Sequence, residues 1–251
     1  MRVQTGDNVG IGGFIVTGNA PKRVLLRAIG PSISGVPNTL ADPVLELHGP
    51  SGFATITNNN WKDDPVQQAL IESTGLAPTN NLESAIYETL SPGAYTAVVR
   101  GNNNTTGVAL IEVYDINPAA ASKLANISTR ALVGTGNDIV IAGFILGNSS
   151  TPTRVVIRGL GGSLTFFGPN ALADPTLELR NSSGTVVASN NNWQDDAAQA
   201  AELTAAGLAP TNTKESGLAL TLGPGAYTAL LSGVGNTTGI GVVEVYDRGA
   251  P

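Results

Sequence analysis

The sequence predicts an all-β protein made of two tandem homologous β-sandwich (jelly-roll-like) domains, each interrupted by one short helix. Three observations carry this prediction. The chain repeats itself, short β-rich runs alternate with turn signals, and 31 Gly and 15 Pro punctuate the 251 residues. The repeat is plain in Asp42-Pro43-Val44-Leu45-Glu46-Leu47, which returns 132 residues later as Asp174-Pro175-Thr176-Leu177-Glu178-Leu179. Asn58-Asn59-Asn60-Trp61-Lys62-Asp63-Asp64 returns as Asn190-Asn191-Asn192-Trp193-Gln194-Asp195-Asp196, and Glu112-Val113-Tyr114-Asp115 as Glu244-Val245-Tyr246-Asp247. From Asp42 to Asp115 roughly 40 of about 74 aligned positions are identical, without a gap. A period above about 100 residues marks whole domains, not solenoid units.

Each element has its own justification. Val9–Val16 and Arg23–Ile29 are β-rich runs bounded by Gly and Pro. Val44–His48 and Phe53–Thr57 follow, separated by Gly49-Pro50-Ser51-Gly52. A helix then intervenes. Asp63 or Asp64 caps it, Pro65 stands in its first turn, Gly75 ends it, and Val66, Ala69 and Leu70 share its apolar face. Ser84–Leu90, Ala94–Arg100 and Val108–Tyr114 complete the first copy. In the last of these, Leu110, Glu112 and Tyr114 share one face, which is expected to be the more solvated one. The second copy repeats the series at Ile139–Leu146, Arg154–Leu160, Thr176–Arg180, Thr185–Ser189, Gly217–Leu222, Ala226–Leu231 and Ile240–Tyr246. Strands of this spacing are the pattern of a sandwich or jelly roll.

The domains are expected at 1–116 and 123–251, with 117–122 as the linker. Lys123–Arg130 alternates like a strand and has no counterpart ahead of the first copy. The first sandwich is therefore expected to lack an N-terminal strand that the second has.

Composition excludes several functions. The 13 basic and 19 acidic side chains give a net charge of −6, so the chain has no basic footprint for nucleic acid. Without cysteine there are no disulfides, thiol nucleophiles or Cys-ligated metals, and a single histidine, His48, excludes a two-imidazole site. No apolar run approaches the ~18–20 residues that span a bilayer, so no membrane insertion is expected. Met1–Gly6 has no apolar stretch of a secretory leader, so either Met1 is an added start or the chain is expected to be a piece of a longer precursor. Low charge and much Asn, Thr and Gly point to a secreted, extracellular or cell-surface protein.

Asp-Pro-x-Leu-Glu-Leu, Ser-Gly, the Asn/Asp run, Glu-Ser, Leu-x-Pro-Gly-x-Tyr-Thr-Ala and Glu-Val-Tyr-Asp together resemble bacterial pre-peptidase C-terminal-like β-sandwich modules. The chain is more similar still to tandem repeats of large secreted proteins of environmental bacteria. Arg2-Val3-Gln4-Thr5-Gly6-Asp7-Asn8-Val9 and Leu124-Ala125-Asn126-Ile127-Ser128-Thr129-Arg130 share that similarity. The resemblance spans nearly the whole chain. It implies a secreted, non-catalytic accessory or structural domain, in some members calcium-binding.

The candidate metal ligands are Asn58, Asn60, Asp63, Asp64 and Glu83, with Asn190, Asn192, Asp195, Asp196 and Glu215 in the second copy. Ca²⁺ takes six to eight oxygens from carboxylates, amides and backbone, and closely spaced Asn and Asp offer them. The plainer alternative is that Asn supplies turn conformations and Asp caps the helix. Trp61 and Trp193 are candidates for stacking on a sugar or packing on a protein, against the alternative that each covers its own core. Asp63 and Asp64 are the nearest pair for glycoside hydrolysis, but paired acids at a helix start are ordinary caps. His48 has no second His or Cys to work with and there is no Gly-x-Ser-x-Gly elbow, so no enzyme is expected. Asn-x-Ser/Thr at Asn103, Asn104, Asn126, Asn148, Asn181 and Asn236 is read as turn and edge chemistry.

An unequal strand count suggests assembly. An unpaired edge is a template for another chain, and Leu124 and Ile127 are the apolar residues such a strand inserts. The expected function is a non-catalytic extracellular structural module that assembles through strand-edge contacts into a stalk, fibre or filament, its partners being copies of itself or neighbouring repeats. The alternative is a calcium-stabilised accessory module of a secreted enzyme, presenting loops to a glycan or surface protein.

Overall fold

A computed structural model describes residues 1–147 and 151–249. The chain divides into two compact units, 1–127 and 128–251. The first contains β1 (Arg2–Val3), β2 (Gly10–Gly18), β3 (Lys22–Ile29), β4 (Pro43–His48), β5 (Ile56–Asn58), α1 (Pro65–Ser73), β6 (Ser84–Leu90), β7 (Gly93–Gly101), β8 (Gly107–Val108) and β9 (Leu110–Asp115). Strand β10 (Ser122–Val133) carries the boundary between the units within it. The second unit continues with β11 (Val140–Leu146), β12 (Thr153–Leu160), β13 (Pro175–Asn181), β14 (Val186–Asn190), α2 (Ala197–Ala205), β15 (Ser216–Leu222), β16 (Gly225–Gly233) and β17 (Gly239–Asp247).

The fold is all-β, antiparallel and sandwich-like. In the first unit one sheet runs β10-β2-β7-β4-β5 and the other β6-β3-β9. Alternation places Phe14 and Val16 of β2, Leu45 and Leu47 of β4, and Ala97 and Val99 of β7 on the inner face. They meet Val24, Leu26 and Ala28 of β3 and Ile86 and Leu90 of β6 in one core. In the second unit the sheets run β11-β16-β13-β14 and β15-β12-β17-β10. Val140, Leu177, Leu179 and Leu231 of the first sheet and Val155, Ile157, Leu218 and Val243 of the second are buried. The registers correspond. Phe14 faces Tyr95 as Phe144 faces Tyr227, and Arg27 faces Glu112 as Arg158 faces Glu244.

Four details differ from the sequence reading. First, the Glu112 face is covered in part: Leu110 is 45% exposed, but Glu112 and Tyr114 are half-buried. Strand β3 is buried on both faces, and Leu25 on its outer side packs with Trp61, Ile71 and Ala85 in a second small core that Tyr114 and Leu76 flank. The Pro65–Ser73 helix and the loop after it form a third layer over this sheet. Second, the helix turns Ile71 inward, and Leu203 in the other copy, while Val66 is 70% and Leu70 37% exposed. One deep anchor suffices because polar Gln67 holds the rest of the inner face, as shown below.

Third, residues 117–122 are no free linker. Asn117 accepts from Lys22 Nζ through its carbonyl at 3.1 Å and from Arg23 N through Oδ1 at 2.8 Å. Ala121 O accepts from Asn19 N at 3.1 Å. These bonds return the chain alongside the first unit, so the unit boundary falls after Ile127. Fourth, Leu124 and Ile127 pack against the first core. They were expected to complete the second sandwich or a neighbour. Instead Ser122–Ile127 supplies the first unit with a strand beside β2, and only the remainder of β10 belongs to the second unit. The first unit's own leading strand is the short β1, paired with β8.

Candidate functional site

The repeated Asn/Asp loop leads from β5 to α1, and from β14 to α2. Asp64 caps α1, its Oδ1 accepting from Val66 N at 2.7 Å and Gln67 N at 3.2 Å. Asp196 caps α2 in the same way, from Ala198 N at 2.9 Å and Gln199 N at 3.0 Å. The bond from the Gln199 amide, with its side-chain bond, holds the Asp196 carboxyl below its usual range. Asn58 Oδ1 accepts from Ala85 N at 2.9 Å while its Nδ2 donates to Asn60 O at 3.0 Å. Asn190 repeats this with Gly217 N and Asn192 O. Asn60 Nδ2 donates to the Asp63 carboxylate at 3.2 Å, and Asn192 to Asp195 at 3.4 Å.

Glu83 is fully buried. Its Oε1 accepts from Gly30 N at 3.1 Å, Ser32 N at 2.9 Å and Ser32 Oγ at 2.5 Å, and Oε2 accepts from Asn80 N at 3.3 Å. Glu215 takes the same three donors from Gly161 and Ser163, at 2.8, 2.9 and 2.6 Å. This carboxylate gathers the amides of the loop after β3 or β12, a backbone cradle for an anion. Gly30 sits where an added Cβ would lie 2.1 Å from Leu40 O, which is why the cradle begins with glycine.

These side chains therefore do not fit a shared calcium shell. Asp64 and Asp196 point at helix amides, Glu83 and Glu215 at a different loop, and Asn58 and Asn190 bond strand backbone. Among the described residues no group of three or more His, Cys, Asp or Glu side chains could hold a metal ion. Asp42 Oδ1 and Asn59 Oδ1 are buried without a hydrogen-bond partner, and so are their counterparts Asp174 Oδ1 and Asn191 Oδ1.

Trp61 is 4% exposed and its Nε1 donates to Asn80 O at 3.1 Å, so it belongs to the small core instead of a binding surface. Lys62 Nζ lies 4.7 Å from the centre of its ring. Trp193 is half-buried and has Gln194 where Trp61 has Lys62. His48 stands partly exposed at a strand end, with Nδ1 3.2 Å from Thr55 Oγ1 and Nε2 3.3 Å from Glu46 Oε2. Asn103, Asn104 and Asn236 adopt positive φ, the turn role their sequence suggests; Asn148 lies outside the described residues.

Two arrangements escaped the sequence reading. Gln67 pairs with the edge of β6 as a strand would: its Nε2 donates to Tyr87 O at 3.2 Å and its Oε1 accepts from Tyr87 N at 3.0 Å. Gln199 accepts from Ala219 N at 3.0 Å on β15. Arg27 bonds Glu112 at 2.7 Å, Leu76 O at 2.5 Å and Tyr114 OH at 3.0 Å, and Tyr114 OH donates to Glu112 at 2.9 Å. Arg158, Glu244, Leu208 and Tyr246 repeat it. Burial pushes both tyrosine hydroxyls above their ordinary value. The identity of Gln67 with Gln199, and of Arg27 with Arg158, was the available signal.

The remaining strand edges differ in how they are covered. Helices seal β6 and β15 through the glutamines. Strand β5 is only 3 residues long, and the β13–β14 pair breaks register between Leu179 and Arg180. Strand β11 has no such device. It pairs with β16 over an unbroken register from Val140–Leu231 to Leu146–Gly225, and among the described residues no strand lies on its other side. Ile141 is 47% and Ile145 77% exposed there. Among the described residues strand β9 also has no strand beyond it in its sheet, and Leu110 is 45% exposed there.

No described helix is long and apolar enough to cross a membrane. No protein-family model matches the chain, and no curated protein matches it.

Proposed function

We propose that the protein is a non-catalytic structural module of an extracellular assembly, joined to its neighbours through strand edges into a stalk, fibre or filament. The carrying observation is the contrast among edges. The β6 and β15 edges are sealed by Gln67 and Gln199, whereas β11 presents 7 residues with Ile141 and Ile145 outward. A long, flat, apolar edge is a liability unless another strand pairs with it. The retained polar residues of the Asn/Asp loops serve internal bonds, which suits a scaffold. The low charge and the resemblance to tandem repeats of secreted bacterial proteins support an extracellular setting.

Negative-stain electron microscopy and sedimentation of the purified chain test this reading, with calcium and then with chelator. Ordered fibres or concentration-dependent oligomers support it. Single particles at every concentration contradict it.

A second reading is a calcium-stabilised accessory module that presents loops to a glycan or protein. One observation favours it: Asp42 Oδ1 and Asn59 Oδ1, and again Asp174 Oδ1 and Asn191 Oδ1, are buried acceptors without donors. A melting temperature that rises with calcium and falls with chelator supports this reading, and an unchanged one removes it.

A further inference from the structure

Strand β2 and strand β11 hold the same place in their units. Each pairs with the strand that carries the Pro-Gly-Ala-Tyr-Thr-Ala motif, Phe14 opposite Tyr95 and Phe144 opposite Tyr227. Their outer edges differ. Beside β2 lies the first part of β10, whose Leu124 and Ile127 pack on the core. Beside β11 among the described residues lies no strand.

Exposure follows this difference. Phe14 and Val16 are each 1% exposed, whereas Phe144 and Leu146 are half-buried. Ile15 is half-buried while Ile145 is 77% exposed. Loss of the Phe53 ring, which rests edge-on against Tyr95 in the first unit and has no aromatic counterpart at Thr185, accounts for part of the inner-face change. It does not account for Ile145, which alternation places on the opposite face. Removal of a flanking strand uncovers both faces together.

The same logic holds at β9. Its counterpart β17, beside the later part of β10, buries Val243 and Val245, whereas Ile111 and Val113 of β9 remain half-buried. In both cases the strand with a β10 neighbour buries its apolar residues more deeply than its counterpart without one.

We infer that the β11 edge, Val140–Leu146, is a docking site for one kind of partner: the leading strand of an adjoining repeat, with the pattern of Ser122–Arg130. This rests on the assembly reading above and names its joint. The occupant is argued from the chain itself, because the equivalent edge in the first unit already receives that sequence. Main-chain pairing supplies the affinity and the seats of Leu124 and Ile127 supply selectivity, as in strand addition generally. Direction is set too. Gly18 at the end of β2 lies against Ala121 and Ser122, so the incoming strand begins at the Leu146 end of β11.

The test uses the full chain and a synthetic peptide of residues 122–130. Fluorescence anisotropy is expected to show saturable binding to a single site, absent for a scrambled peptide and weakened at least tenfold by the double substitution Ile141→Lys, Ile145→Lys. Both side chains are exposed, so the variant is expected to fold, and circular dichroism checks this. The chain has no cysteine, so Ile145→Cys gives one thiol. It is expected to cross-link to a peptide carrying Lys123→Cys and not to one carrying Arg130→Cys. No binding, binding indifferent to the lysines, or the reverse cross-link overturns the inference. Fibres without a peptide seat would sink this joint and leave the assembly reading standing. A peptide seat in a chain that never assembles would do the opposite.

Discussion

Phe14 and Phe144 stack on their tyrosines with the same ring separation, 5.5 Å, yet only Phe14 is sealed from water. Local pairing is therefore alike in the two units, and what changes is the neighbour beyond it. Phe144→Ala is expected to destabilise the second unit by less than Phe14→Ala destabilises the first, where a fully buried phenylalanine is worth roughly 3–5 kcal/mol. Chemical denaturation of the two variants measures the difference. Equal losses would count against an unfilled edge at β11.

The carboxylate of Glu83 organises the loop after β3. Glu83→Ala leaves the Gly30, Ser32 and Asn80 amides without their acceptor and is expected to cost roughly 2–4 kcal/mol. Glu83→Gln keeps an acceptor oxygen and should cost less. If Glu83→Ala melts like the wild type, the loop is held by something else.

Asp64 is a helix cap. Asp64→Ala is expected to lower stability by about 1 kcal/mol, and Asp64→Ser or Asp64→Asn to restore most of it. A calcium ligand would behave differently, because Ser and Asn lack the charge. Thermal melts of the three variants, with and without calcium, separate the two roles.

Lys22 is fully buried, with Nζ 2.9 Å from Asp115 Oδ2 and 3.1 Å from Asn117 O. Asp115→Ala strands that charge and is expected to cost roughly 3 kcal/mol. It also loosens the segment that leads into β10, so proteolysis within residues 117–121 should accelerate. Unchanged cleavage there would show that the segment is held independently of Lys22.

Stability should fall in strong alkali. The Tyr114 and Tyr246 hydroxyls are raised by burial from an ordinary value of 10.0. The folded state thus holds protons that the unfolded state releases, so this contribution is complete below about pH 10 and is lost as pH rises further. At the other end, Glu46 lies below its usual range, chiefly through its hydrogen bond from Arg100, and Asp196 through the Gln199 amide. Their contribution is present above the ordinary carboxylate range and is lost on acidification. Melting temperature against pH reads both limbs. Tyr114→Phe should flatten the alkaline one, and an unaltered slope would contradict the assignment.

The fold was legible because its signals are local and occur twice. Alternation marked the strands, and Asp64, Pro65 and Gly75 marked the helix. The small core was not legible. Leu25 and Arg27 sit in a run whose inner residues already explain its hydrophobicity, and only the third layer shows why the other face is apolar as well. The polar cluster read ambiguously because Asn and Asp suit calcium and caps equally. Burial of Glu83 and the direction of its carboxylate, which depend on the distant loop at Gly30 and Ser32, decided against one shared shell. The boundary was missed because residues 117–122 have a linker's composition, and only their bonds to Asn19, Lys22 and Arg23 tie them to the first unit.

Hydrogen–deuterium exchange on the dilute chain tests the central claim most directly, by comparing amides of β2 with those of β11. The open-edge account predicts that alternate β11 amides, those facing away from β16, exchange roughly tenfold or more faster than their β2 counterparts. It also predicts that they become protected when the peptide of residues 122–130 is added. Equal protection of the two strands in the dilute chain would contradict it.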